Sequence, residues 1–266
     1  MQIGICSYSF HRLLAEGRQD ALGYVAACKE LGCTQVDMWN GHLPFLAPSA
    51  DPLTGDEMQT LLRVREAATA AGLPIVTFAV DGAHVYDPDP EVRATLRAKA
   101  LRHLDAAAIL GAAQMRIDAG GPTDQLPADV FDVIQAGYRE LIDRAAPRGI
   151  QILVENHRGP TTHPDHLLRI LEHVPGLGLL LDSDNWRPGL RNEGRRRCAP
   201  HAAAVHVKTY QWDAAGNETS DTDAPGFIEL LKQAKFNGTW EIESVPPDAD
   251  ELTSARNSVA LLKRLL

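Results

Sequence analysis

Short apolar runs alternate with longer amphipathic stretches along the whole chain. Eight runs have the length of a β-strand, at residues 2–8, 34–39, 74–80, 113–118, 150–155, 177–182, 203–208 and 238–243. Between them, apolar residues recur at helical spacing, most clearly in residues 91–110 and 128–146. Glycines in the segments "ELG", "AAG" and "ILG" mark helix ends, and each precedes a predicted strand. The pattern therefore predicts repeated β–α units with parallel strands.

The number of these units favours one fold. Eight β–α units in 266 residues predict an α/β fold, a (β/α)8 TIM barrel, formed by a single domain over residues 1–266. A doubly wound open sheet is the main alternative, but it usually carries a glycine-rich phosphate turn after its first strand, where this chain has "CSYSFHR". The sixth unit is the weakest, because "RNEGRRRCAPHA" must supply its short helix. We expect the arginines at 195–197 to lie on a solvated face.

Composition and charge exclude several classes of protein. Hydrophobic residues make up 44% and charged residues 23%, which is ordinary for a globular enzyme. The formal net charge of −9 argues against nucleic acid as the main partner. The start of the chain does not resemble a signal peptide, and no run approaches the roughly 18 apolar residues of a membrane span. Four cysteines without CxxC spacing fit reduced thiols, so we expect a cytoplasmic protein that binds no membrane, with homo-oligomerisation left open.

Charged side chains follow four consecutive strands in the second half of the chain. The clearest case is "GLGLLLDSDNW", in which a fully apolar run ends directly in carboxylates. The carboxyl ends of barrel strands meet at one face, where such enzymes carry their chemistry, so these side chains converge. Converging carboxylates raise each other's pKa unless a cation lies among them. Three carboxylates and one imidazole suit Mn²⁺, Mg²⁺ or Co²⁺, with Zn²⁺ as a further possibility. The strand ends offer Glu155, Asp182, His206 with Lys208, and Glu241 with Glu243.

The segments "VENH", "LDSDNW", "VHVK" and "GTWEIES" resemble motifs of the xylose isomerase-like barrel superfamily, in particular its sugar isomerase, epimerase and inosose dehydratase branch. The resemblance covers nearly the whole chain and is most specific over residues 150–244. It implies one divalent metal ion, Mn²⁺ in first place, held by Glu155, Asp182, His206 and Glu243. It also implies that the first and last of these, Glu155 and Glu243, move protons at the substrate carbons.

Two neighbouring pairs leave the assignment open. Glu241 and Glu243 lie two apart on one strand and therefore share a face. Glu243 is nearer the rim and matches the family's spacing from Gly238, so it is the preferred ligand. Glu241 then becomes a candidate for contacting the ligands rather than the metal. The family often has a small residue at that position, and this departure allows altered chemistry. Lys208 shares a face with His206; it is a catalytic candidate that would steady an anionic oxygen, or it forms an ordinary salt bridge.

Other polar and aromatic residues near the strand ends are candidates for substrate binding: Trp39, Arg116, His157, Asn185 and Trp186. Trp39 would stack on the apolar face of a sugar, although packing in the barrel wall is an equal alternative. We expect the loops at 40–55 and 80–90 to shape the pocket. The chain has no GxxxxGK[ST] loop, so the expected substrate is an unphosphorylated sugar or polyol.

These observations lead to one main functional hypothesis. We expect a metal-dependent sugar or keto-sugar isomerase or epimerase, in which a glutamate removes a proton next to a polarised carbonyl and an enediolate forms. The same first step also begins dehydration of an inosose or eliminative cleavage of a 3-keto-glycoside, so a lyase or dehydratase is the alternative. The superfamily also contains abasic-site endonucleases, against which the net charge argues. A sugar-binding barrel without activity is the remaining possibility.

Overall fold

Eight parallel strands form one nearly closed sheet in the computed structural model, which describes residues 2–47, 49–247 and 250–266. The strands are β1 (Ile3–Ile5), β2 (Val36–Trp39), β3 (Ile75–Val80), β4 (Gln114–Ile117), β5 (Gln151–Glu155), β6 (Gly178–Asp182), β7 (Ala202–Thr209) and β8 (Thr239–Ser244). Their order is β1-β8-β7-β6-β5-β4-β3-β2, and a parallel bridge between Cys6 and Asp37 joins the two ends. The fold is the predicted (β/α)8 barrel, and every strand coincides with one of the eight apolar runs.

Helices surround the sheet and connect its strands. They are α1 (His11–Ala15), α2 (Ala21–Glu30), α3 (Gly55–Ala71), α4 (Pro90–Leu110), α5 (Ala128–Ala145), α6 (Pro164–His173), α7 (Arg191–Cys198), α8 (Ala224–Gln233) and α9 (Glu251–Leu265). The two clearest predicted helices, 91–110 and 128–146, correspond to α4 and α5 within one residue at each end. The short helix expected of the sixth unit is α7.

The ends of α3 show how local sequence sets the helix boundaries. Thr54 and Glu57 form a capping box at its start, in which each side chain accepts a hydrogen bond from the other residue's backbone amide. The helix stops at Gly72, whose φ of 72° is a left-handed conformation that glycine adopts without strain. Gly111 ends α4 in the same way, with a φ of 73°. These glycines therefore act as the predicted stops.

Two apolar layers pack on opposite faces of the sheet. The larger core lies between the strands and the helices. A small separate cluster of Leu153, Leu180 and Ala204 comes from β5, β6 and β7. Because side chains alternate along a strand, the residues two positions further on point to the same side. On these three strands they are Glu155, Asp182 and His206. The apolar cluster therefore lies one layer below the polar side chains.

The structure corrects one expectation about the surface. Arg195 is only 4% exposed, because its guanidinium donates hydrogen bonds to the backbone carbonyls of Ser183 and Thr222, at 2.5 Å and 2.6 Å. It thereby fixes the loop after β6, and the arginines at 195–197 do not form one solvated face. The four cysteines are buried and free, as expected of structural thiols. No helix in the described part of the chain is long and apolar enough to cross a membrane.

Candidate metal centre and active site

Four side chains meet at the carboxyl ends of β5 to β8. Glu155, Asp182, His206 and Glu243 each offer one ligand atom, and these atoms all lie within 4.8 Å of one another. All four residues are buried. The structure thus brings together the set that the sequence predicts as metal ligands, and we call these four residues the quartet.

Asp182 is held by hydrogen bonds that leave one of its oxygens free. Its Oδ1 accepts from the backbone amides of Asp184 and Asn185, at 2.6 Å and 2.8 Å. The Asn156 side chain bonds both the amide and the carbonyl of Asp182, which fixes the end of β6. Asp182 Oδ2 is buried and makes no hydrogen bond within the described residues.

His206 is oriented by a carboxylate from the opposite side of the barrel. Its Nε2 lies 2.8 Å from Asp37 Oδ2, and both side chains are fully buried. Its Nδ1 is therefore turned toward the quartet, 3.1 Å from Glu243 Oε2 and 3.7 Å from Glu155 Oε1. In metal sites, a ligating histidine almost always donates its second ring N–H to such a partner, and Asp37 is placed for this role.

The quartet fits a divalent cation. Asp182 Oδ2 and His206 Nδ1 are buried polar atoms without a hydrogen bond in the described part of the chain, although buried polar atoms nearly always have a partner. Burial, together with the nearby Glu243 and Glu155 carboxylates, raises the pKa of Asp182 to about 6, although Lys208 opposes this shift. A cation among these atoms would supply the missing partner and relieve the repulsion.

Lys208 lies beside the quartet, on the side of Asp182 and Glu243. Its Nζ donates a hydrogen bond of 2.7 Å to Asn185 Oδ1 and lies 3.6 Å from Asp182 Oδ2 and 3.5 Å from Glu243 Oε1. Burial lowers the pKa of this amine, but the surrounding carboxylates outweigh burial and raise it, so Lys208 remains a cation. Asn185 also donates to Glu155 Oε1 at 3.2 Å, and it therefore links Lys208 to the quartet.

Arg116 balances the charge on the opposite side of the quartet. Its Nε lies 2.9 Å from Glu155 Oε2, and one terminal nitrogen lies 2.7 Å from Asp81 Oδ1. Burial alone would raise the pKa of Glu155, but Arg116, His157 and His206 together outweigh burial and lower this pKa to about 2. Arg116 is thus committed to carboxylates of the protein. It is a poor candidate for direct contact with a substrate.

The remaining substrate-binding candidates fall into two groups. His157 and Trp39 border the site: His157 Nδ1 lies 2.9 Å from Asp118 Oδ2, and Trp39 Nε1 donates to Asp81 Oδ2 at 2.8 Å. Trp186 is 8% exposed and packs closely against Gly194 of α7, so its ring contributes to the packing of a helix. Of the loop at 40–55, Pro48 lies outside the described residues.

Comparison with known proteins agrees with this geometry. The family model for the xylose isomerase-like TIM barrel matches residues 25–265. The chain belongs to this family. No curated protein matches the sequence significantly.

Solved structures of this barrel type superpose over nearly the full chain. They include 3-keto-D-glucoside 4-epimerase from E. coli (TM-score 0.76, 18% identity, 99% of each chain covered). A probable 3-DHS dehydratase from Bacillus anthracis is similar (0.75, 16%, 99% of each chain). So is D-psicose 3-epimerase from Clostridium cellulolyticum H10 (0.74, 13%, 99% of this chain and 98% of that one). At these identities the likeness shows a shared fold.

Within this xylose isomerase-like barrel, Glu241 lies outside the quartet. It is fully buried, and it pairs with His206 in the register of β7 and β8. Both of its carboxylate oxygens lack a hydrogen bond among the described residues. Burial, and then the nearby Asp37 carboxylate, raise the pKa of Glu241 well above its usual value. The ligand atoms that come together include Glu243 and not Glu241.

The sequence analysis missed several residues of the site, among them Tyr8, Asp37, Asp81 and Asp118. Asp81 and Asp118 directly follow β3 and β4, so the strand-end pattern used for the second half of the chain would have found them. Tyr8 follows β1 and packs edge-on against Trp39, with ring centroids 5.0 Å apart. Asp37 lies inside β2 and gives no comparable signal.

Proposed function

We propose that this protein is a divalent-metal-dependent enzyme that moves a proton at a carbon next to the carbonyl of a sugar or keto-sugar, as an isomerase or epimerase. The observation that carries the proposal is the quartet, in which Asp182 Oδ2 and His206 Nδ1 are buried and form no hydrogen bond with the described residues. The epimerases among the similar structures support the same reaction type. The substrate is a small molecule.

The cation would be held by Glu155, Asp182, His206 and Glu243. Three carboxylates and one imidazole form a hard, oxygen-rich set, which favours Mn²⁺ and also suits Mg²⁺, Co²⁺ or Zn²⁺. When bound, such an ion would polarise the substrate carbonyl and make the neighbouring C–H bond more acidic.

Glu155 and Glu243 are the groups that would move protons. They come from β5 and β8, which are three strands apart around the barrel, and their carboxylate oxygens lie 3.7 Å and 3.1 Å from His206 Nδ1. One can therefore take a proton from a substrate carbon while the other returns it to another face or to the adjacent carbon. Lys208 would donate a hydrogen bond to the oxygen on which negative charge develops. Asp182 would act as a ligand alone.

The charges around the quartet favour an unphosphorylated substrate. Arg116 is paired with Asp81 and Glu155, and Lys208 is shared between Asp182 and Glu243. A phosphate group would have to compete with these carboxylates for both cations. We therefore propose sugars, keto-sugars or inosose-type rings in preference to sugar phosphates.

A lyase or dehydratase is the second candidate. One of the similar structures is described as a probable dehydratase. The chemistry is also compatible, because removal of the same proton would be followed by loss of a β-oxygen group instead of reprotonation. An enzyme of this kind would use the same residues, so the products must separate the two candidates.

The test is deuterium exchange into substrate in D₂O. The protein is stripped of metal and reloaded with Mn²⁺, and panels of free and phosphorylated sugars, keto-sugars and inososes are screened by mass spectrometry. Exchange with free sugars that depends on Mn²⁺ supports the proposal, and loss of water from the same substrates favours the dehydratase. Exchange confined to phosphorylated sugars would refute the substrate class. Absence of both exchange and bound metal would refute the enzyme.

A further inference from the structure

A carboxylate outside the quartet fixes the ring of His157. Asp118 Oδ2 lies 2.9 Å from His157 Nδ1, and Asp118 Oδ1 lies 3.4 Å from a terminal nitrogen of Arg116. Asp118 is 4% exposed, whereas the His157 side chain is 21% exposed. The carboxylate is therefore buried behind the imidazole, and the imidazole reaches the accessible part of the site.

The backbone holds both partners of this pair in place. Beyond the end of β4, the amides of Val85 and Tyr86 donate to the carbonyls of Asp118 and Ala119, at 3.2 Å and 2.9 Å. An isolated parallel bridge between Tyr86 and Gly120 thus holds the segments that follow β3 and β4 against each other. Gly159, just after His157, has a φ of 59°, and a Cβ there would collide with the carbonyl of Gly120.

The second nitrogen of His157 is left for another partner. Within the described residues, His157 Nε2 makes no hydrogen bond, while Nδ1 is occupied by Asp118. His157 follows Glu155 by two residues, and it is also linked to Glu155 through Asp118 and Arg116. The ring thus lies beside the quartet with one polar atom uncommitted.

We propose that Asp118 is a positioning residue, which holds His157 so that Nε2 forms a hydrogen bond with an oxygen of the bound substrate. This inference rests on the proposed function, because it needs a substrate at the quartet. A carboxylate behind an imidazole fixes both the tilt of the ring and which nitrogen faces the ligand, whereas an unsupported ring would sample other rotamers.

The same residues could also be considered as a second metal site, but the structure favours this less. Asp81, Asp118 and His157 also offer atoms within 4.8 Å of one another. However, the Arg116 guanidinium already contacts both carboxylates of this group, at 2.7 Å and 3.4 Å. The positive charge that a metal would supply there is thus present in the protein.

The test combines activity with a spectroscopic signal that needs no substrate. Asp118→Asn, His157→Gln and the double variant are compared in the deuterium exchange assay at saturating Mn²⁺. We expect each single variant to lower kcat/KM by about 10- to 100-fold. The double variant should be no worse than His157→Gln, because Asp118 acts through His157. Asp105→Asn, which affects an exposed pair with Arg148, is the activity control.

The signal is the low-field Nδ1–H proton of His157 in the NMR spectrum of the free protein, assigned with His157→Gln. We expect it to be lost in Asp118→Asn and retained in Asp81→Asn, which removes a neighbouring carboxylate that is not hydrogen-bonded to His157. The bound metal should remain unchanged in Asp118→Asn, since Asp118 is not a ligand.

If the losses of kcat/KM in the two single variants multiply in the double variant, the residues act independently and the proposal is overturned. A kcat/KM equal to that of the wild type in Asp118→Asn would also overturn it. If the wild-type protein exchanges deuterium into no substrate, the proposed function fails separately. The NMR signal then still decides whether Asp118 holds His157: its loss only in Asp118→Asn supports the pairing, and its persistence there refutes it.

Discussion

Replacement of Asp37 by asparagine is the sharpest test of how the metal centre is built. The contact between His206 Nε2 and Asp37 Oδ2 is 2.8 Å long, and both side chains are fully buried. Asparagine has nearly the same shape and keeps one acceptor oxygen, but it loses the negative charge. The substitution therefore removes the charge from this hydrogen bond without opening a cavity.

The size of the effect follows from the nature of that bond. A hydrogen bond to a charged group contributes about 1.5–3 kcal/mol, against about 0.5–1.5 kcal/mol for a neutral one. The difference of about 1–2 kcal/mol corresponds to a change in Kd of roughly 5- to 30-fold. Loss of an outer partner of a metal ligand typically weakens binding by about 10- to 100-fold. We expect Asp37→Asn to raise the Kd for Mn²⁺ by about 10- to 30-fold, which is the range that both figures share.

Isothermal titration of metal-stripped protein with Mn²⁺ measures this Kd, and circular dichroism checks that the barrel is intact. Glu241→Gln is the matched control, because Glu241 is equally buried and lies opposite His206 in register, but does not bond its ring. We expect the control to leave the Kd nearly unchanged.

Two results would refute this reasoning. A change of less than about threefold in Asp37→Asn would mean that the hydrogen bond does not prepare His206 for a metal. Equal weakening in both variants would mean that the affinity responds to any change of a buried carboxyl group near His206, and not to the orientation of the ring.

Other predictions concern the quartet and its surroundings. Glu155→Gln and Glu243→Gln should each retain metal but lose on the order of 10²–10⁴ in exchange rate, and recovery of turnover at high Mn²⁺ would show that the residue is only a ligand. Asp182→Asn should lose mainly metal affinity, so excess Mn²⁺ should restore part of the activity in the same assay. Mn²⁺ at about 100 times its Kd should raise the melting temperature by roughly 5–10 °C in calorimetry, and no shift would contradict a site in the folded state. Gly41→Ala should displace the Trp39 ring, with which a Cβ there would collide, and raise KM without loss of metal; an unchanged KM would exclude Trp39 from the substrate site.

The site residues that could be predicted are marked by the residues next to them in the sequence. Asp182 comes at the end of an apolar run with no polar residue inside it, and Glu155 ends its strand in the same manner. The direction of each side chain then follows from the alternation along the strand. Closure of the barrel then brings these side chains together, because it places the ends of all eight strands around one axis. For these residues, the order of polar and apolar positions was sufficient.

The parts that could not be predicted depend on contacts between distant strands. Asp37 and His206 are 169 residues apart in sequence, and they meet only because β2 and β7 face each other across the closed barrel. Arg195 shows the same limit, since its burial depends on two backbone carbonyls that the loop geometry supplies. Neither contact leaves a periodic pattern in the chain.

The balance of charge explains why a buried strand ends in carboxylates. Below the quartet, Leu153, Leu180 and Ala204 keep water away, so charges above them interact strongly. In and around the quartet lie six carboxylates besides that of Glu241, namely those of Asp37, Asp81, Asp118, Glu155, Asp182 and Glu243. Arg116 and Lys208 are permanently charged, and the pKa of His157 is raised to about 9, chiefly by the Glu155 carboxylate against the opposing effect of burial. Burial lowers the pKa of His206, but its contacts with Asp37, Glu155 and Glu243 outweigh burial and raise it, so His206 is a fourth cation. The carboxylates still outnumber the cations. Among the described residues, Asp182 Oδ2 and His206 Nδ1 form no hydrogen bond, and their position is the one at which a divalent ion would stabilise the folded chain most.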